Sequence, residues 1–564
     1  MKNNLRTFTL LSVTFFSLLI LSSLTFYYRE QAYVRPESYF YLLSLAVAIV
    51  FAQALLLRNS SRWVKLTLFA EVLFIPLSFV LTQQTLYKTV LGRDPWAHWI
   101  FVEEIARRGY IPLYNEVPIP YVKMPNFHLL IVSGIVLTDL KYKWADLLFA
   151  GMPTLILLML VAYLYSKKLF GGKVALASIL LVAISDNVLD IAGKSIIPNS
   201  VGVALAFLIF YLVYFRSLND SKIKFLAVLL SISLVLMHTV SFSLLIWQVV
   251  VVSILALVFK EKEAKEYLTF LGFLIVLAFF EWALYSGFYL KGLTAIFKQL
   301  FIHGFDVERY EARLPVSFLD VLMARLGMLL YFAIAGISLL RMFILLFKNK
   351  FRDKLMLSNV VSTGGIVAGV ATFLNPTLSQ ISHRFWYYGE VLSSAFVGSL
   401  LDYFGKDSNW RKILSIIFIA LLGVLMLRAN VANDDNPLVP QYSIRTGWYD
   451  SEISTAKFVT THSSLPVATD IDFQHFSSVI VGMLNEDHRS FPTCNLQTFD
   501  AIIQNRDCLA LIRVKLIQDR YFVLGKGYSQ RAYLSLGAET KEVLSRIFVF
   551  KNAIYNTGSV IAVV

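Results

Sequence analysis

Asp94 and His98 stand four residues apart in the stretch GRDPWAHWIFVEEIARRG, positions 92–109. A carboxylate and an imidazole at that spacing lie near one edge of a helix, where they can share a metal ion or a substrate proton. The stretch also carries Glu103, Glu104, Arg107 and Arg108. These form two Glu-before-Arg pairs at i,i+4, placed away from Asp94 and His98, so one side of the helix can satisfy its own charges. The ends of the helix are marked by Asp94 as N-cap, Pro95 at the first helical position and Gly109 just past the end. A plainer reading leaves Asp94 to capping and His98 to packing against lipid headgroups. Trp96 and Trp99 read as interfacial anchors of a helix lying along a membrane.

The elements that position this helix are membrane spans. The chain has 564 residues, of which 57% are hydrophobic and 15% aromatic, with a mean hydropathy of +0.65. A soluble protein of this length is far less apolar. Apolar runs of about twenty residues, the length of a bilayer-crossing helix, recur at 7–26, 38–57, 66–86, 144–165, 174–190, 198–215, 224–238, 241–259, 267–285, 319–346, 355–373, 385–404 and 412–428. The run 126–138 is short for a crossing and is excluded. The run 7–26 lacks a small-residue cleavage site and is read as a signal anchor.

The net charge of +14 does not point to nucleic acid, because Lys and Arg are concentrated in short links between apolar runs. With the N-terminus inside, the links at Arg58/Arg62/Lys65, Lys167/Lys168/Lys173, Arg216/Lys222/Lys224, Lys260/Lys262/Lys265, Lys348/Lys350/Arg352/Lys354 and Lys406/Arg411/Lys412 all fall on the cytoplasmic side, as the positive-inside bias requires. The reading is a polytopic α-helical membrane domain of about thirteen spans over 1–429, with outer loops 87–143 and 286–318. An extracytoplasmic α/β domain follows over 430–564. Its strand-like runs are 466–470, 508–514 and 520–524, with helix-like stretches near 451–462, 474–485 and 538–547 and a closing hairpin on Asn-Thr-Gly. Cys494 and Cys508, the two cysteines of the chain, both lie in this part. They fit one disulfide in an oxidising space, or two unrelated buried thiols.

The Gly-x-Asp-Pro-aromatic-x-His loop at 92–98, leading into a short helix along the membrane, resembles the first outer loop of the GT-C superfamily of polytopic glycosyltransferases. YVKMPNFHLLIVSGIVL, 121–137, resembles the Pro-x-x-His/Tyr segment that precedes the next span there, and a span leading into an outer α/β domain is similar to archaeal members. The resemblance implies a donor sugar on a polyprenyl (dolichyl) phosphate and a lipid, glycan or protein acceptor on the outer face. It implies Asp94 as base or metal ligand, with His98 beside it, and a divalent metal such as Mg or Mn. Asp186 and Asp190 are its candidates for a second acidic site. The Asp-x-Glu or Asp-x-Asp of oligosaccharyltransferases is not present there, and their Trp-Trp-Asp-Tyr-Gly is echoed only by Gly-Trp-Tyr-Asp at 447–450.

A lipid phosphate needs a fixed cation, and the planar fork of arginine suits it. The resemblance points to Arg384, with His383 beside it, at the outer start of a late span; an interfacial Arg-aromatic girdle is the plainer account. His303, Asp306, Glu308, Arg309 and Arg313 are candidates for a mobile loop over the site, or are merely solvated. His238 reads as a packed turn residue between two spans. Competing functions are an oligosaccharyltransferase-like enzyme of protein N-glycosylation, a transporter or flippase of lipid-linked sugars, and a non-catalytic membrane scaffold. Transport would call for internal repeats and mid-membrane charges. No repeat is evident, and Glu71 and Glu281 are the possible intramembrane acids.

Overall fold

The computed structural model describes residues 2–287 except 57–61, 93, 118 and 217, then 318–348, 354–370, 379–404 and 408–429. Towards the C-terminus it describes chiefly 447–470, 507–514, 521–525, 531–535, 553–557 and 560–563. The chain divides into two compact units. The first comprises Met1–Leu86, Phe101–Val307 and Ala324–Leu438, and the second Tyr87–Ile100, Glu308–Met323 and Val439–Val564.

The first unit is helical. In chain order its helices are α1 (Lys2–Tyr27), α2 (Glu37–Leu56), α3 (Arg62–Leu86), the second half of α4 (Asp94–Arg108), α5 (Asn126–Thr138), α6 (Tyr142–Phe170), α7 (Gly172–Ala183), α8 (Asp186–Lys194), α9 (Pro198–Phe215), α10 (Ser221–Val235), α11 (Thr239–Val258), α12 (Ala264–Tyr285), all but the first turns of α13 (Phe318–Lys348), α14 (Lys354–Val370), α15 (Ser379–Phe404) and α16 (Asn409–Leu427). Among the described residues nine helices are long and apolar enough to cross a membrane, or ten if α7 and α8 count as one bent span. The protein is therefore a multi-pass membrane protein. The other three expected spans are helices that meet the bilayer less simply. α10 has 15 residues and α14 has 17, while α15 has 26 but carries Arg384, Glu390 and Asp402. The run 126–138 is the 13-residue α5.

The core of this unit lies around α7 and α15. α7 packs against α6, α15, α2 and α3, and from Ala177 to Ala183 every residue is buried. Small residues permit the approach. Ser178 donates to the carbonyl of Ser394 at 3.1 Å, and a Cβ on Gly398 would lie 3.2 Å from the Ser178 hydroxyl. The expected straight span at 174–190 is instead broken: α7 and α8 meet at 56°. Glu71 and Glu281 are both buried.

In the second unit, α17 (Asp450–His462) accompanies a four-stranded sheet and a separate hairpin. The strands are β1 (Val467–Ala468), β2 (Leu509–Arg513), β3 (Tyr521–Gly525), β4 (Arg531–Ser535), β5 (Ala553–Asn556) and β6 (Val560–Val563). The sheet order is β1-β2-β6-β5, with β1 parallel to β2 and the other pairs antiparallel. Among the described residues β3 and β4 pair only with each other. The closing hairpin turns at Thr557, whose amide donates to Val560 O at 3.0 Å. Cys494 and Cys508 form a disulfide. The helix-like stretches near 474–485 and 538–547 fall almost wholly outside the described residues.

Arg513 anchors this unit. Arg513 is 6% exposed, and its guanidinium forks over Asp470, with Nε to Oδ2 at 2.8 Å and Nη2 to Oδ1 at 2.5 Å. Glu452 lies 3.8 Å away, and the rings of Trp448 and Phe473 lie under the guanidinium. Such planar, two-point pairing is the arrangement that lets a charge pair be buried.

Candidate functional site

α4 begins at Asp94, one residue earlier than the N-cap reading placed it. An acid in the first turn and Arg107 and Arg108 in the last complement the helix dipole. Gly109 closes the helix at φ +74°, a backbone region that side chains disfavour, and its amide donates to Ile105 O at 2.9 Å.

Within this helix the charges sort differently from the spacing argument. Glu104 takes both arginines, Arg107 at 2.8 Å and Arg108 at 2.7 Å, so the expected Glu103–Arg107 pair is replaced by an i,i+3 contact. Burial pushes the Glu104 carboxyl up, but the hydrogen bonds from Arg108 and Arg107 overcome this and hold it below its usual range. The same hydrogen bond raises the Arg108 guanidinium.

Asp94 is exposed and His98 is 4% exposed. Burial lowers the His98 imidazole to about 4, against the opposing pull of the Asp94 charge. His98 is thus a neutral ring at neutral pH, with one nitrogen donating and one accepting. Trp96 is buried as well and stacks on Trp99 with centroids 5.1 Å apart. Its expected role as a membrane-interface anchor is overturned, because its ring is spent on packing.

In the first unit, the Pro-x-x-His segment brings His128, fully buried at the start of α5, against three rings. Phe101, Tyr121 and Phe127 lie 4.6, 5.4 and 5.4 Å from it. Phe101 comes from α4, so this histidine sits where α4 and α5 are joined by aromatic packing.

The break between α7 and α8 holds a second cluster. Ser185 is the extended residue that caps α8, its hydroxyl accepting from Val188 N. The same hydroxyl donates to the Glu390 carboxylate of α15. Asn187 bridges two acids: its side-chain amide donates to Asp186 Oδ1 at 2.9 Å and to Glu390 Oε1 at 2.7 Å. Asp186 and Glu390 are both fully buried. Tyr331 of α13 donates to the Glu390 backbone carbonyl at 2.8 Å. Of the two expected second-site acids, Asp186 therefore joins this cluster. Asp190 faces a different set, with Ser195 at 3.1 Å and Lys194 at 3.5 Å. Lys194 in turn reaches the carbonyl of Val431.

A third chain of polar contacts runs from Tyr387 of α15 to Asn199, from Asn199 Oδ1 to Ser241 at 3.1 Å, and from Ser241 to His238 Nδ1 at 2.9 Å. His238 caps α11, a structural duty that matches the turn reading.

Glu390, Asn187 and Tyr387 were not singled out in the sequence. Neither was Arg325, whose guanidinium lies 5.3 Å over the Trp386 ring beside Met328, which packs on Trp386. The loop candidates His303, Asp306, Glu308, Arg309 and Arg313 lie outside the described residues, as do the side chains of His383 and Arg384. Among the described residues no three His, Cys, Asp or Glu side chains gather to hold an ion. Asp94 and His98 are two donors one helical turn apart, and no third described donor joins them.

No protein-family model matches the sequence, and no curated protein matches it. Solved structures do. The oligosaccharyltransferase of Archaeoglobus fulgidus, in a complex with Zn and sulfate, superposes at a TM-score of 0.50 with 12% identity, covering 82% of this chain and 73% of that one. The fold is the GT-C fold. Two other GT-C structures match at lower scores. The archaeal oligosaccharyltransferase AglB from the same organism, with an inhibitory peptide and a dolichol-phosphate, has a TM-score of 0.49, 11% identity and coverage of 80% and 70%. ArnT from Cupriavidus metallidurans in the apo state has 0.46, 14%, and 85% and 98%. At 12% identity the first of these likenesses shows the fold alone and leaves the reaction to the site itself.

Proposed function

We propose that this chain is a membrane glycosyltransferase that moves a sugar from a polyprenyl-phosphate-linked donor to an acceptor on the outer face of the membrane, with Asp94 as the base. The observation that carries this reading is an exposed carboxylate, Asp94, opening an amphipathic helix in the first long connecting segment of a chain with the GT-C fold. The N-terminus is cytoplasmic in this reading and the α/β part beyond 430 is extracytoplasmic, as the distribution of Lys and Arg supports.

The chemistry follows from the groups available. The acceptor hydroxyl or amide gives its proton to the Asp94 carboxylate as its oxygen or nitrogen bonds to the anomeric carbon. The bond from that carbon to the phosphate oxygen breaks, and the lipid phosphate leaves with the electron pair. One displacement inverts the anomeric centre. An arginine stabilises the phosphate, and Arg325 joins Arg384 as a candidate because its guanidinium is held over an indole face. His98, neutral at neutral pH, leaves the proton transfer to Asp94. The acceptor is a lipid, a glycan or a protein.

The test is transfer from radiolabelled polyprenyl-phosphate monosaccharides in membranes carrying wild type or Asp94→Asn, each with and without EDTA. Loss of a general base lowers the rate by about 10²–10⁴-fold, so Asp94→Asn is expected to fall by at least about a hundredfold at unchanged protein level. Inhibition by EDTA would mark the transfer as metal-assisted, and transfer in its presence would mark it as metal-free. Equal transfer by both proteins would remove Asp94 from the chemistry.

A further inference from the structure

A cavity of about 710 Å³ opens at one end of the helix bundle, where α2 ends, α3 begins, α6 ends and α7 begins. Four cations frame it. Arg62 and Lys65 come from the first turn of α3, Lys167 from the last turn of α6 and Lys173 from the first turn of α7. The walls are apolar and aromatic, among them Leu66, Phe69, Tyr163 and Leu176, and the Lys167 ammonium lies 5.6 Å over the Tyr163 ring. Among the described residues lining the cavity none is acidic.

The positive-inside bias accounts for cations at the ends of these helices. It does not account for their gathering around a concave space with an apolar wall. Two of the four helix ends are N-termini, α3 and α7, whose backbone amides favour an anion. All four cations are exposed at the mouth of the cavity, where they are free to reorient towards an anionic group that enters it. A ligand that fits must be anionic at its head and apolar along its body.

We propose that this cavity binds an anionic membrane phospholipid. Its headgroup phosphate sits among Arg62, Lys65, Lys167 and Lys173, and the start of an acyl chain runs along Leu66 and Phe69. Basic pockets between membrane helices recognise acidic headgroups in this way. The site is separate from the sugar-transfer reading and does not depend on it.

The experiment is native mass spectrometry on the full-length protein in detergent, titrated with phosphatidylglycerol or with phosphatidylcholine of the same acyl chains. Inorganic phosphate is the headgroup-only arm. Wild type is expected to hold phosphatidylglycerol at least about tenfold more tightly than phosphatidylcholine. Lys65→Gln, Lys167→Gln and Lys173→Gln combined should weaken phosphatidylglycerol by about tenfold or more, since each cation near such a headgroup contributes on the order of a few-fold in affinity. Lys222→Gln, Lys224→Gln and Lys265→Gln remove the same charge from helix ends outside the cavity and should leave binding unchanged. If the first triple variant does not fold, Lys167→Gln alone should still weaken phosphatidylglycerol by a few-fold. The proposal is overturned if the two lipids bind alike, if both triple variants lose binding equally, or if the cavity variants retain it. Displacement of the lipid by inorganic phosphate at the lipid's own concentration would also overturn it, by making the ligand a free anion.

Discussion

Asp94 and His98 lie one helical turn apart, yet the first is exposed and the second is 4% exposed. The spacing that makes them look like a pair gives them opposite environments. His98, lowered by burial to about 4, binds fewer protons folded than unfolded between about pH 4 and 6.5. Its contribution to stability is full above pH 6.5 and is lost as pH falls towards 4, by up to about 3 kcal/mol. Thermal unfolding in detergent should show this slope in wild type and a flatter one in His98→Gln. Parallel pH dependences for the two proteins would show that His98 is not the titrating group.

Asp470→Ala leaves the Arg513 guanidinium buried beside Glu452 at 3.8 Å, without its two-point partner. Breaking a buried pair from one side costs about 3–5 kcal/mol. The C-terminal part should therefore become protease-sensitive at temperatures where the wild type resists. Unchanged proteolysis would show that the pair is dispensable.

Gly327 of α13 faces the backbone of α16. A Cβ there would stand 2.8 Å from the Leu425 carbonyl carbon and 2.9 Å from the Met426 nitrogen. Because backbone cannot rotate aside as a side chain does, Gly327→Ala should destabilise by about 1–3 kcal/mol. Gly336, on the same helix, has nothing within 4 Å of its added Cβ, and Gly336→Ala should be neutral or slightly stabilising. Equal melting temperatures for the two variants would refute the contact.

Asn187→Leu removes the amide that bridges Asp186 and Glu390. Glu390 Oε1 then loses its donor, at about 1–3 kcal/mol, while Asp186 Oδ1 keeps the Asn187 backbone amide. The membrane unit should melt several degrees lower, and Asn187→Gln should recover little because its longer arm misplaces the donor. A wild-type melting curve for Asn187→Leu would assign the bridge no weight.

What the sequence made legible was local. The helix carrying Asp94 reads from its acid, proline and glycine within sixteen residues, and the closing hairpin reads from its turn. The span count read less well, since hydropathy alone does not register the 15-residue length of α10 or the kink between α7 and α8. Burial was least legible. Trp96 looks like a membrane anchor until the helix is packed, and Glu390 meets Asn187 across a separation of 203 residues, which no window on the chain can span. Arg325 is silent in the sequence because an arginine near a span end is ordinary, and its seat over Trp386 is what distinguishes it.

The 56° break at Ile184–Ser185 has a bearing on how variants near it should be compared. A helix that starts afresh amid buried side chains exposes amide groups with no water to take them. Ser185 and Asp186 supply acceptors for two of these. A short polar side chain at 185 is thus demanded by architecture alone. Substitutions at 185–187 therefore act on folding before they act on any chemistry. Residues around this bend should be ranked by melting temperature before they are ranked by turnover.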